Sequence, residues 1–176
     1  MSKTQPEEWG FGFDPSINTS AWAVVSTTGR VHCGMIWNTY KDPAKDSWAK
    51  LDEMLHNVMA QLQAVMPNVP VPVTWTVEGQ YTSRSKGSPD IQVRNGWISS
   101  AVYHMASDKM ARIIALPQIW TEREAKEDRI EELKPLVVPP EEWEWHSPRP
   151  PDRLMHNIWD AIGLAIWGMK QQTAPL

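Results

Sequence analysis

Asp14, Glu78 and Asp160 are the residues whose type and setting suit metal chemistry. Asp14 closes a β-type run at 9–13, Glu78 closes an apolar run at 73–77, and Asp160 interrupts the apolar face of a helical pattern near the C-terminus. A hard divalent cation such as Mg²⁺ takes oxygen ligands. Two such cations about 4 Å apart can activate water and stabilise the leaving oxygen in phosphodiester cleavage. Asp160 carries the most weight, because a carboxylate on a buried face is costly unless a metal or another partner meets it. Asp14, ahead of Pro15, also fits an Asx-type turn, and Glu78 also fits a solvated strand end. On the terminal helix His156 lies four positions before Asp160, about 40° around the axis, and Asn157 three before it, about 60° around, so either can share its face. Asn157 offers a neutral carbonyl oxygen, and His156 a metal-binding nitrogen or a general base. Asp152, two turns earlier, is a weaker ligand candidate and a better helix cap.

Positioning these groups is the work of the elements around them. Runs at 9–13, 21–26 and 31–37, separated by a turn rich in Pro, Ser and Asn at 15–20 and by Thr27-Thr28-Gly29, predict a three-stranded antiparallel meander. Apolar residues at helical spacing from Trp48 to Met66 predict a long amphipathic helix over 43–66, ended by Pro67, Pro70 and Pro72. A strand at 73–77, a helix at 91–105, a strand at 112–116 and a charged helix at 121–133 with a Thr121 to Glu124 capping box follow. The segment 134–151, with its prolines and Glu-Glu-Trp-Glu-Trp stretch, reads as an ordered surface excursion. Trp143 and Trp145 there are partner anchors or a lid packed on the domain. Asp152 is expected to cap a closing helix to about 169. The pattern is α/β, with a five-stranded mixed sheet, three antiparallel strands first, flanked by helices.

Composition narrows the class. With 176 residues the chain fits one domain, 1–176, with flexible tails expected at 1–8 and 171–176. The single cysteine, Cys33, excludes an internal disulfide and, inside an apolar run, is a poor candidate for a catalytic thiol without a positioned base. No membrane-length apolar stretch or signal-peptide pattern is present, which points to a soluble, cytoplasmic protein. A formal net charge of −4 means that any nucleic-acid surface must be local. The polar loop at 79–90 is the candidate, with Arg84, Lys86 and, just beyond it, Arg94 for phosphates and Tyr81 for stacking on an unpaired base or for packing the loop down. Eleven tryptophans against two phenylalanines fit either a partner interface or a Trp-filled core, and Trp97 and Tyr103 on the 91–105 helix pose the same choice.

Gly12-Phe13-Asp14-Pro15-Ser16 with Thr19 and the strand after it, Val77-Glu78-Gly79-Gln80, and His156-Asn157-Ile158-Trp159-Asp160-Ala161 resemble, in that order, the motifs of RuvC-like Holliday-junction resolvases. The resemblance spans residues 9–169 and implies a ribonuclease H-like fold. It further implies a homodimeric endonuclease that nicks symmetric strands of a four-way DNA junction by water attack on phosphorus with Mg²⁺, Mn²⁺ substituting. Asp14 and Glu78 would be metal ligands, and Asp160 would complete the site with Asn157 or His156. Asn157 departs from the family, which usually has Asp or His at that position. The compact length suits a phage-encoded member acting in the host cytoplasm. A related nuclease for flaps, forks or RNA–DNA hybrids, and a non-catalytic branched-DNA-binding module, are the alternatives.

Overall fold

A computed structural model describes residues 6–40, 47–79, 89–120 and 126–173. The expected meander is formed by β1 (Trp9–Asp14), β2 (Thr19–Ser26) and β3 (Val31–Trp37), antiparallel in sequence. Gly29, at φ 87°, supplies the left-handed residue the tight β2–β3 turn requires. Helix α1 (Ser47–Val65) leads to β4 (Thr74–Glu78), and α2 (Pro89–Met105) to β5 (Ala111–Ala115); β4 is parallel to β1, and β5 to β4. Two short helices, α3 (Pro117–Trp120) and α4 (Lys126–Leu133), precede the closing helix α5 (Met155–Thr173). The capping box at 121–124 lies outside the described residues. Asp152 does not cap α5; it begins a 3-10 turn, Asp152–Leu154, that feeds the helix. Glu7 pairs with Arg30 at 3.2 Å, and α5 runs on to Thr173.

The sheet has six strands, not five, in the order β5-β4-β1-β2-β3-β6. The added strand is β6 (Glu144–Trp145), drawn from the proline-rich segment and parallel to β3. Two residues are too short a run to announce a strand. The pairing is made by the neighbours: Trp143 is buried edge-on against Trp159 of α5, with ring centroids 4.9 Å apart, and the His146 amide donates to the Cys33 carbonyl at 2.9 Å. The segment thereby covers an edge that would otherwise be open to pairing with another chain.

Alternation along the strands divides the core in two. Trp9, Phe11, Phe13, Trp22, Trp75 and Val77 face α1 and α2, which bring Leu51, Met54, Val58, Leu62, Ile98 and Val102. The opposite face, with Ala21, Ala23, Val31, Cys33 and Met35, packs on Ile158, Ala161, Ile162 and Ala165 of α5. The tryptophans divide by burial: Trp9, Trp22, Trp75, Trp120, Trp143 and Trp159 are buried, whereas Trp48 and Trp97 are 58% and 59% exposed. Tyr103 packs against the core and Trp97 does not.

Contact between α5 and β1 is very close. A Cβ added at Gly12 would lie 2.0 Å from the Ala161 carbonyl oxygen and 2.6 Å from the Ala165 amide, so only glycine fits unless the helix moves. Gly12→Ala is therefore expected to lower the unfolding free energy by about 3 kcal/mol, the upper end of the usual penalty for overpacking. A urea unfolding curve measures it, and an unmoved midpoint would show that α5 can back away freely. Cys33 is buried, and desolvation pushes its thiol far above the ordinary range. A thiol reagent should modify it only at the rate of unfolding; prompt modification of the native protein would contradict this burial.

Candidate metal centre

Parity along the strands decides which carboxylates can meet. In β1, Gly10, Gly12 and Asp14 alternate with the core-facing aromatics; in β4, Thr74, Thr76 and Glu78 alternate with Trp75 and Val77. The parallel register pairs Phe13 with Val77, so Asp14 and Glu78, one residue further on, end adjacent strands on the same face, roughly 4.8 Å apart from strand to strand. Both are half-buried. The face is the one α5 covers, since Ala161, Leu164 and Ala165 sit over Gly12 and Gly168 over Thr76.

The first turns of α5 straddle this strand pair. Asn157, one turn before Ala161, is on the β2 side, where its Nδ2 approaches Thr19 Oγ1 at 3.4 Å and so turns the amide nitrogen, rather than its oxygen, toward β2. Asp160 is on the other flank and 4% exposed. Its Oδ1 accepts from Arg129 Nη2 of α4 at 2.6 Å, a buried ion pair. The guanidinium stacks over Trp120, 4.1 Å from the ring centroid, and Trp120 Nε1 donates to Glu78 Oε1 at 3.2 Å. Asp160 and Glu78 are thus joined through Arg129 and Trp120. His156 is half-buried one turn before Asp160, on that residue's side of the helix.

Arg129 and Trp120 were not among the residues singled out from sequence. Arg129 lies in the strongly charged run Lys-Glu-Asp-Arg-Ile-Glu-Glu-Leu, which reads as a solvated face. The available signal was its place four residues before Leu133, a buried apolar position on the same side of the helix. The buried carboxylate at 160 does have the partner its burial demands, and that partner is a guanidinium. By donor chemistry and placement Asp14 and Glu78 fit a hard cation; Asp160 is already balanced by Arg129.

Of the residues expected at the DNA surface, Tyr81, Arg84 and Lys86 lie outside the described residues. Arg94 is in α2, its side chain 13% exposed and 3.8 Å from Asp90 across one helical turn. The end of α2 nearest the site is anchored by two polar contacts. Asn95 Oδ1 accepts from the Ile17 amide at 3.1 Å, and Ser99 Oγ donates to the Glu78 carbonyl at 2.8 Å.

No family model matches this sequence, and no curated protein matches it. The three-strand meander, the two parallel crossover strands and the closing helix across the sheet are nevertheless those of the ribonuclease H-like fold in its RuvC form. Among solved structures, Thermus thermophilus RuvC in complex with a Holliday junction substrate is similar over 94% of this chain and 96% of its own, with a TM-score of 0.61 and 17% identity. A second Thermus thermophilus RuvC structure is similar over 96% of this chain and 98% of its own, with a TM-score of 0.56 and 18% identity. At these identities the likeness is one of fold.

Proposed function

We propose that this protein is a divalent-metal-dependent endonuclease that cuts four-way DNA junctions as a homodimer in the cytoplasm. The observation that carries the reading is the in-register placement of Asp14 and Glu78 at the ends of neighbouring parallel strands, beneath the α5 turn bearing Asn157 and Asp160. Two half-buried carboxylates at one edge of the sheet supply hard oxygen ligands, so the arrangement suits Mg²⁺ or Mn²⁺. Asp14 and Glu78 would hold the ion, with the Asn157 carbonyl oxygen or Asp160 completing the set. When bound, the ion supplies charge neutralisation at the scissile phosphate and eases deprotonation of the attacking water. Trp120 donates to one Glu78 oxygen and so orients it, and α5 packs over Gly12 beside the site.

A homodimer suits a two-fold symmetric junction, because an isologous pair places one site on each of two opposed strands. Ile91, Val93 and Trp97, exposed on α2, give such a pair an apolar surface to bury. Tyr81, Arg84, Lys86 and Arg94 are the proposed DNA contacts. Among the described residues no helix is long and apolar enough to cross a membrane.

The Arg129–Asp160 pair and the neutral Asn157 favour a second reading, in which the metal site is weakened and the protein binds branched DNA without cutting it. A labelled four-way junction, incubated beside flap, fork and RNA–DNA hybrid controls in Mg²⁺, Mn²⁺ or EDTA, separates the readings. Paired symmetric nicks that vanish in EDTA are expected. Preferential cutting of flaps, forks or hybrids would move the assignment to a related nuclease, and binding without cutting in either metal would establish the non-catalytic module.

A further inference from the structure

The face of the sheet opposite the carboxylates holds a second cluster. His32 of β3 points away from α5, toward the side of the core that contains Trp9, whose ring meets the imidazole edge-on with centroids 5.3 Å apart. The parallel pairing sets Glu144 of β6 directly beside His32, and His146, two residues on, returns to the same face, its ring 5.6 Å from Trp22. Three ligand-type atoms converge there. His32 Nδ1 is 3.2 Å from His146 Nε2 and 3.3 Å from Glu144 Oε2, while His146 Nε2 is 3.7 Å from Glu144 Oε1.

Hydrogen bonding accounts for these contacts poorly. Whichever of His32 Nδ1 and His146 Nε2 carries a proton between the two rings, that one proton serves a single partner fully. A cation among the three atoms serves all of them. The separations also suit a particular ion, since ligands bound at about 2.0–2.1 Å in tetrahedral geometry lie about 3.3–3.4 Å apart. Two imidazoles and one carboxylate are the donor set of Zn²⁺ and its neighbours rather than of Mg²⁺, which takes oxygen ligands almost throughout. The side chains of His32 and His146 are 8% and 14% exposed and walled by tryptophan, while Glu144, at 62%, opens the fourth position to solvent. The cluster is spatially separate from Asp14 and Glu78, because the sheet lies between them.

We propose that His32, Glu144 and His146 form a binding site for a divalent transition-metal ion, best suited to Zn²⁺, that clips the edge strand β6 to β3. The clip acts where chain pairing is thinnest, because β6 is two residues long and is carried by a proline-rich segment. Binding there stiffens the segment 143–147 without touching the carboxylate site.

Co²⁺ titration of the full chain in excess Mg²⁺ tests this, because Mg²⁺ occupies oxygen-rich sites and competes poorly for imidazole. One equivalent of Co²⁺ should bind with the visible absorption bands of a four-coordinate ion and be displaced by Zn²⁺. Glu144→Gln and His146→Gln should each weaken it at least tenfold, and Zn²⁺ should slow amide exchange across 143–147. The exposed position of Glu144 makes its variant a safe test of folded protein. Absence of those bands, or wild-type affinity in either variant, would overturn the proposal.

Discussion

Asp14→Asn is expected to reduce metal-dependent junction cleavage by about a hundredfold or more while leaving the fold intact. Loss of a group that merely hydrogen-bonds to a metal ligand typically lowers metal affinity or activity about 10–100-fold, and loss of a ligand should exceed that. Stability in EDTA should change little. Asp14 and Glu78 end adjacent strands on one face of the sheet, where both can serve one cation. Asparagine keeps the size of Asp14 and much of its hydrogen-bonding capacity, so in EDTA the variant should melt close to wild type. In Mg²⁺ it should lose the rise in Tm that wild type gains from ion binding. Cleavage assays and paired melts in EDTA and Mg²⁺ check both halves. A variant that cuts at the wild-type rate removes Asp14 from the metal site, and one that melts well below wild type in EDTA shows a structural role instead.

Arg129→Met is expected to be the most destabilising of the substitutions considered, by about 3–5 kcal/mol, since it leaves the Asp160 carboxylate buried without its guanidinium. Methionine preserves much of the apolar contact with Trp120, so the loss reports mainly on charge. Arg129→Met combined with Asp160→Asn should recover much of it, because a hydrogen-bonding amide tolerates burial better than an unpaired anion. The same pair tests whether Asp160 is a metal ligand. If it is, Mn²⁺ can take over the role of the lost cation, and Mn²⁺ should raise the Tm of Arg129→Met more than that of wild type. Equal shifts in the two proteins would leave Asp160 as one half of a structural ion pair. Denaturant unfolding of the two variants, with and without Mn²⁺, provides every number needed.

Helix α4 therefore bears on the site as directly as β1 or β4 does. Arg129 reaches Asp160, covers Trp120, and through the indole N–H touches Glu78, so a shift of α4 would change two of the candidate ligands together. The strongly polar composition of this eight-residue helix conceals this, because charged residues are more often solvated than buried.

Most of the architecture was legible in local patterns. The meander, α1, β4, α2, β5 and α5 each follow from a two- or 3.6-residue periodicity punctuated by proline or glycine. Asp14 and Glu78 could be read as strand-end carboxylates for the same reason, since their positions depend only on where two apolar runs stop. Other features had no local signature. β6 is a strand because the edge of β3 and the ring of Trp159 receive it, and its own two residues carry too little pattern to predict it. The facing of the α5 residues depends on how the helix seats on Gly10 and Gly12, which sets Asn157 toward Thr19 and Asp160 toward Arg129. The elements, their order and the strand ends at which carboxylates emerge are set by interactions between near neighbours in the chain. Which charges pair and which histidines meet is set by packing, because contacts such as Arg129 with Asp160 and His32 with His146 join residues far apart in sequence and exist only once the sheet is covered.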